Sequence, residues 1–123
     1  MDLLRDGLDW LDRQRERFLT RSIGYRRGAL EAVLLATIGR TVFRLDVGMG
    51  VTERIEARDY LISAARFAGF GLPQRGDRIS EDDEGKRHTY EVLAPGGEPP
   101  WRWSDPHRRC LRIHTKFLTT EAL

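Results

Sequence analysis

From Arg21 to Val47 the chain runs through RSIGYRR, LEAVLLATIG and TVFRLDV, segments rich in β-branched and aromatic residues and punctuated by glycine. Such side chains lose rotamer freedom in a helix and pack well on a pleated surface, so these segments predict strands. VTERIEARDYLI follows with a mixed period. As a strand it puts Ile55, Ala57, Asp59 and Leu61 on one face and Tyr60 and Ile62 on the other. As a helix it would build a stripe from Tyr60, Leu61, Ala64, Ala65 and Ala68. The expectation is a strand through Ile62 and a short helical turn after it. The chain has 123 residues, enough for one modest core and not for two.

The remaining segments extend the pattern. Gly69, Gly71 and Pro73 break the chain. Asp77 to Ser80 and HTYEVL read as the two strands of a hairpin, with Gly85 placed for its turn and the acids of EDDE at its tip. APGGEPPWRWSDPH holds four of the five prolines and reads as a long irregular loop over 94–108. CLRIHTKFL reads as a last strand. Ahead of all this, Leu3, Leu4, Leu8, Leu11 and Phe18 fall near one stripe at helical spacing. Asp2 and Asp6 stand early in that segment and Arg13, Arg15 and Arg17 late, an arrangement that suits a helix dipole. The predicted fold is therefore mainly β, a small β-barrel or sandwich with one N-terminal α-helix. The expected division is a helix over 1–19, a β-barrel domain over 20–118 and a C-terminal tail over 119–123.

Charge is uneven. Residues 1–28 carry net +2, residues 29–100 net −3 and residues 101–123 net +3. Basic ends around an acidic middle fit subunits that stack by charge. Of the 21 basic residues only Lys86 and Lys116 are lysine, and arginine favours bidentate contacts to carboxylates and phosphates. A GC-rich coding genome would give the same bias. Cys110 is the one cysteine, so no internal disulfide is expected. There is no run of 18 apolar residues for a membrane span. MDLLRDGLDW carries acids where a secretion leader needs bases, so the chain is expected to stay where it is made. The helix stripe, set against a polar face with five acids, does not suit a membrane surface. It is expected to dock on a protein partner.

Chemistry-bearing patterns are sparse. His107, Cys110 and His114 give a ligand-like spacing, but no second cysteine pair supports zinc, and no metal or cofactor is expected. Arg75-Gly76-Asp77 reads as a turn entering a strand. Gly48-Met49-Gly50 lacks the rest of a phosphate loop. Asp82, Asp83 and Glu84 at a hairpin tip would titrate normally, and no serine has a nucleophile's setting; no enzyme is expected. The most unusual patch is Trp101-Arg102-Trp103, which could cover the barrel's end, contact another subunit or partner, or stack on nucleic acid.

The order of segments resembles the small head–tail joining (head-completion, or stopper) proteins of tailed bacteriophages. The residues that carry this are Pro73, Gly76, Asp77 and Ile79 of a P-x-x-G-D-x-I pattern, then Tyr90, Glu91 and Val92 of the following strand. The likeness runs over about residues 20–118. It implies a non-catalytic β-barrel that assembles as a homo-oligomeric ring below the portal or its adaptor ring. Such a ring closes the DNA channel, meets packaged DNA non-specifically and receives the tail or a tail-completion protein. It implies a virion neck location after assembly in the bacterial host cytoplasm, with no membrane contact. The longer N-terminal helix and the proline loop depart from many such proteins. A tail-completion or tail-terminator subunit is the alternative, and a nucleic-acid-binding β-barrel is the next.

Overall fold

A computed structural model describes residues 3–7, 10 and 20–123. Residues 3–7 and 10 are helical, and everything from Arg21 onward is organised by one sheet of seven strands. β1 is Arg21–Arg27, β2 Leu30–Gly48, β3 Val51–Ser63, β4 Arg78–Asp83, β5 Lys86–Val92, β6 Trp101–Trp103 and β7 Cys110–Ala122. All pairings are antiparallel. They run β3–β2–β1–β4–β5–β7 and return through β7–β3, so the hydrogen-bonded circuit closes in the manner of a barrel. Closure removes the sheet edges along the paired part of the circuit, where they would otherwise invite foreign strands.

Alternation fills the interior. Ile23 and Tyr25 of β1, Leu34 and Ala36 of β2, Tyr60 and Ile62 of β3, Ile79, Val92, Leu111 and Ile113 form one buried cluster. A short helix, Ala64–Phe67, and a 3-10 turn, Ala68–Phe70, cap one end. Phe67 and Phe70 each meet the Tyr25 ring with centroids 4.8 Å apart, edge to face, the arrangement aromatic quadrupoles favour.

Strand β3 and the helical turn after it match the sequence expectation. LEAVLLATIG and TVFRLDV are instead one 19-residue strand. Gly39 does not break it. A Cβ there would come within 3.1 Å of Arg112 Nη1 and Leu61 Cδ1, so the glycine makes room for a crossing arginine. Gly48-Met49-Gly50 is a hairpin tip, with Met49 and Gly50 both at positive φ (54° and 75°) as a two-residue turn of this hand requires.

The β4–β5 hairpin is present, with Glu84 and Gly85 as its turn. Its tip is shorter than EDDE suggests, because Glu81 is buried within β4. The proline loop is not wholly irregular. Trp101–Trp103 pairs with β7 as a strand, placing Trp101 opposite Ile113 and Trp103 opposite Leu111. β7 also runs on through Ala122, with Thr119 to Ala122 paired to β5, where a tail was expected.

Ile113 is fully buried at the junction of β3, β6 and β7. Ile113→Ala is expected to lower stability by about 2–5 kcal/mol, the usual cost of a large-to-small change in a packed core. Denaturant unfolding checks this, and an unchanged midpoint would mean that Ile113 does not face the core.

Candidate functional site

Three carboxylates are buried in the wall of the barrel, and each is held by an arginine and a hydroxyl from other parts of the chain. Asp77 accepts from Arg27 Nε at 2.9 Å and Nη2 at 2.7 Å, from the Tyr25 hydroxyl and from the Gln74 N–H at 3.0 Å. Glu81 accepts from Arg58 Nε and Nη2 at 2.9 and 2.7 Å, from Arg21 Nη1 at 3.0 Å and from the Tyr60 hydroxyl. Asp59 accepts from Arg112 Nη1 at 2.8 Å and the Thr41 hydroxyl, and lies 2.9 Å from His114 Nδ1.

Burial by itself would raise the pKa of all three acids. The donors around them outweigh it and hold each below the ordinary carboxylate range. The same burial, reinforced by the neighbouring carboxylate, pushes the Tyr25 and Tyr60 hydroxyls far up. These tyrosines therefore stay protonated donors, and the acids stay ionised acceptors. Groups so shifted neither give up nor take a proton near neutral pH. The arrangement locks strands together.

The Gly-Asp of the P-x-x-G-D-x-I pattern has a physical role in this arrangement. Gly76 takes φ 95° and donates its N–H to the Val92 carbonyl at 2.9 Å. Asp77 then points inward at Tyr25 and Arg27, and its backbone carbonyl accepts from the Val92 N–H at 2.8 Å. Arg27 also donates to the carbonyls of Phe70 and Leu72. Pro73, Asp77 and Ile79 are buried, as is Val92 of the second motif; Tyr90 and Glu91 are partly exposed. The motif residues thus pin the capping turn to β1, β4 and β5.

The ligand-like triplet is dispersed. His114 is on Asp59, the Cys110 thiol lies 3.8 Å from the Leu111 carbonyl oxygen, and His107 is exposed on the loop. Asp82 is exposed and lowered by its Arg87 partner at 2.8 Å. It is therefore not the ordinary acid that a bare tip would present. None of the three buried acids stands out by spacing. Asp77 has its arginine 50 residues away and Asp59 has its histidine 55 away, separations that only the register brings together.

Surfaces remain as places for recognition. Beyond Ala36 and Arg58 the β2–β3 pair continues alone, with both edges unpaired among the described residues. At the tip of this arm Val47, Met49 and Val51 are exposed, Met49 completely. Trp101 and Trp103 are half-buried against the core and meet edge to face at 5.2 Å, while Arg102 between them points outward. Leu3 and Leu4 of the helix stripe are exposed at 76% and 64%, with Trp10 at 54%. Leu8, Leu11 and Phe18 lie outside the described residues.

A family model described as phage head–tail joining protein matches residues 1–122. No curated protein matches the chain.

Asp77→Asn leaves the Arg27 guanidinium without its counter-charge. It is expected to cost about 1.5–3 kcal/mol, the range for hydrogen bonds to charged groups. Because Asp59, Asp77 and Glu81 titrate lower folded than unfolded, their contribution is complete above the unfolded carboxyl range near pH 4. It is lost as pH falls through the lowered values. A melting-temperature profile should be flat on the neutral side and fall on acidification, more shallowly in Asp77→Asn than in wild type. Parallel acid limbs would show that Asp77 is not held ionised.

Proposed function

The chain belongs to the phage head–tail joining proteins, and from that premise we propose that it forms one ring of the phage neck. It is a structural component of the virion neck, the connection between head and tail. In the proposed reading, copies of the chain associate side by side into a closed ring. One face of the ring docks on the portal or its adaptor ring, and the other receives the tail. The ring closes the DNA channel and touches DNA only through charge. The work is binding and closure, with no catalysed step.

The family match along residues 1–122 carries this reading. The β2–β3 arm supports it. A two-stranded ribbon with two free edges is marginal in water by itself, and apolar residues crowd its exposed tip. A neighbour that covers the tip or pairs an edge would stabilise it, and repetition of that unlike-to-unlike contact around an axis closes a ring. The exposed Leu3 and Leu4 give the N-terminal helix a second apolar surface to bury. We assign the helix stripe, Leu3, Leu4, Leu8, Leu11 and Phe18, to docking on a partner, and Trp101-Arg102-Trp103 to a contact with a neighbour.

Electron microscopy of particles assembled without this protein tests the reading. Tail-less heads that have lost their DNA, beside free complete tails, are expected. Full heads with tails of abnormal length would instead make this a tail-terminator subunit, and normal infectious particles would overturn the neck role. Removing residues 1–18 is expected to leave the melting temperature of the barrel nearly unchanged and to lower the yield of joined particles. A normal yield would show that the helix is not the docking element.

A further inference from the structure

Arg26 of β1 and Arg78 of β4 are direct cross-strand partners. Tyr25 and Ile79 beside them are buried, so the two arginines stand together on the outer face of the wall, both exposed. Like charges set opposite one another are unfavourable. Among the described residues neither arginine has an ion pair or a side-chain hydrogen bond. Together with Gly24, Ser80, Thr89 and Thr119 they line a cleft of about 190 Å³. A Cβ on Gly24 would come within 2.6 Å of Ser80 Oγ, so the glycine keeps the Ser80 hydroxyl in its place.

The other charged residues of the cleft are Glu31, Arg87 and Glu121. They are occupied with one another. Arg87 donates to Asp82 at 2.8 and 3.1 Å and is attracted by Glu31 and Glu121. Glu91, across from Arg78 on β5, has Lys116 on its other side. Arg26 and Arg78 are thus left with hydroxyl neighbours and no anion of their own.

The complementary charge lies on the same chain. Residues 81–86 hold four acids and one lysine. Glu81 is buried under arginines and Asp82 holds Arg87. Asp83 and Glu84 are exposed and, among the described residues, without an ion pair. Their turn is well held. Glu84 and Gly85 take φ 50° and 75°, as a two-residue hairpin turn requires, and the Gly85 carbonyl accepts the Leu123 N–H at 2.9 Å.

A chain cannot satisfy its own arginines with this tip. Arg78 and Asp83 are the first and last residues of one six-residue strand, about 17 Å apart at the rise of an extended chain. A second copy can. Guanidinium forks hold carboxylates through parallel hydrogen bonds, and the Ser80 and Thr89 hydroxyls beside them supply further donors.

We propose that the Arg26–Arg78 cleft is the seat for the Asp83-Glu84 turn of a second copy of this chain. The inference rests on the ring reading and adds the two surfaces that make the contact. Cleft and tip are unlike patches, so copies join head to tail, and such a contact repeated around an axis closes a ring.

The test reverses each patch and then both. Arg26→Glu/Arg78→Glu and Asp83→Arg/Glu84→Arg are made separately and together in the full-length chain. All four residues are exposed, so melting temperatures near that of wild type are expected; if a reversal lowers it, the neutral Arg26→Gln/Arg78→Gln takes its place. Each reversal should lower the yield of joined particles about tenfold or more, because like charges then face each other across the contact. The combined variant should recover most of that yield. So should an equal mixture of the two single reversals, in which acid meets base at every contact. Self-association of the purified proteins at low salt, followed by sedimentation, should change in the same order and weaken as salt is raised.

Reversals that leave both readouts as in wild type overturn the proposal. Losses that neither combination nor mixing repairs also overturn it, and the arginines would then meet an acidic surface of a different protein. Absence of the wild-type protein from purified particles would strike the neck reading alone, and sedimentation would still decide the contact. A wild type absent from particles and monomeric in sedimentation would overturn the contact as well.

Discussion

Strand β7 is hydrogen-bonded to three other strands. Cys110 to Thr115 pair with β3, Leu111 to Ile113 pair on their other side with β6, and Thr115 to Ala122 pair with β5. Thr115 stands at the crossing, opposite both Arg58 and Val92, and its hydroxyl donates to the Arg58 carbonyl at 2.6 Å. Without this strand the sheet is an open ribbon running from β3 to β5, with both edges exposed. With it the circuit closes and the interior becomes dry. The last strand in the chain thus completes the core, and the β3–β7 contacts that close the circuit span nearly half the sequence.

The buried acids follow from that closure. Each bridges elements that would otherwise meet only through backbone bonds or apolar packing. Asp77 ties β1 to the capping turn, Glu81 ties β4 to β1 and β3, and Asp59 ties β3 to β2 and β7. A buried ion pair adds little net stability over a well-packed apolar substitute, because desolvation offsets the attraction. Its stronger effect is on alternatives. A strand slipped by one residue would turn a carboxylate to the wrong face and leave an arginine unmatched. These clusters therefore fix register in a barrel whose strands are otherwise similar in composition.

The division of the molecule suits a part that is assembled. Polar groups inside are matched to one another, leaving Thr37 Oγ1 as the one buried side-chain polar atom without a partner among the described residues. What remains for apolar recognition among the described residues lies outside: the apolar tip of the arm and the exposed Leu3 and Leu4 of the N-terminal helix. Both surfaces ask for protein.

Much of the fold was legible in the chain because strands announce themselves locally. β-Branched runs, glycine turns and the Gly-Asp pattern placed β1, β3, β4 and β5 close to where they lie. Of Tyr90, Val92, Leu111 and Ile113, which alternation marks as core, the last three are buried and Tyr90 packs against the core while partly exposed. The helical turn after Ile62 was legible for the same reason. Gly39 misled because a glycine that breaks a strand and one that admits a neighbour's arginine look alike in sequence. Glu81 misled because an acid at a hairpin tip and an acid under two arginines differ only in what lies across the sheet. The proline loop concealed β6, since three residues carry too little periodicity to register. The sequence by itself determined a β fold with one core, its turns, its basic ends and its family. Tertiary structure alone decided which acids are buried, which arginines hold them, and which arginines are left facing out. Register and closure set those pairings across about 20 to 60 residues, and no local pattern encodes a contact at that distance.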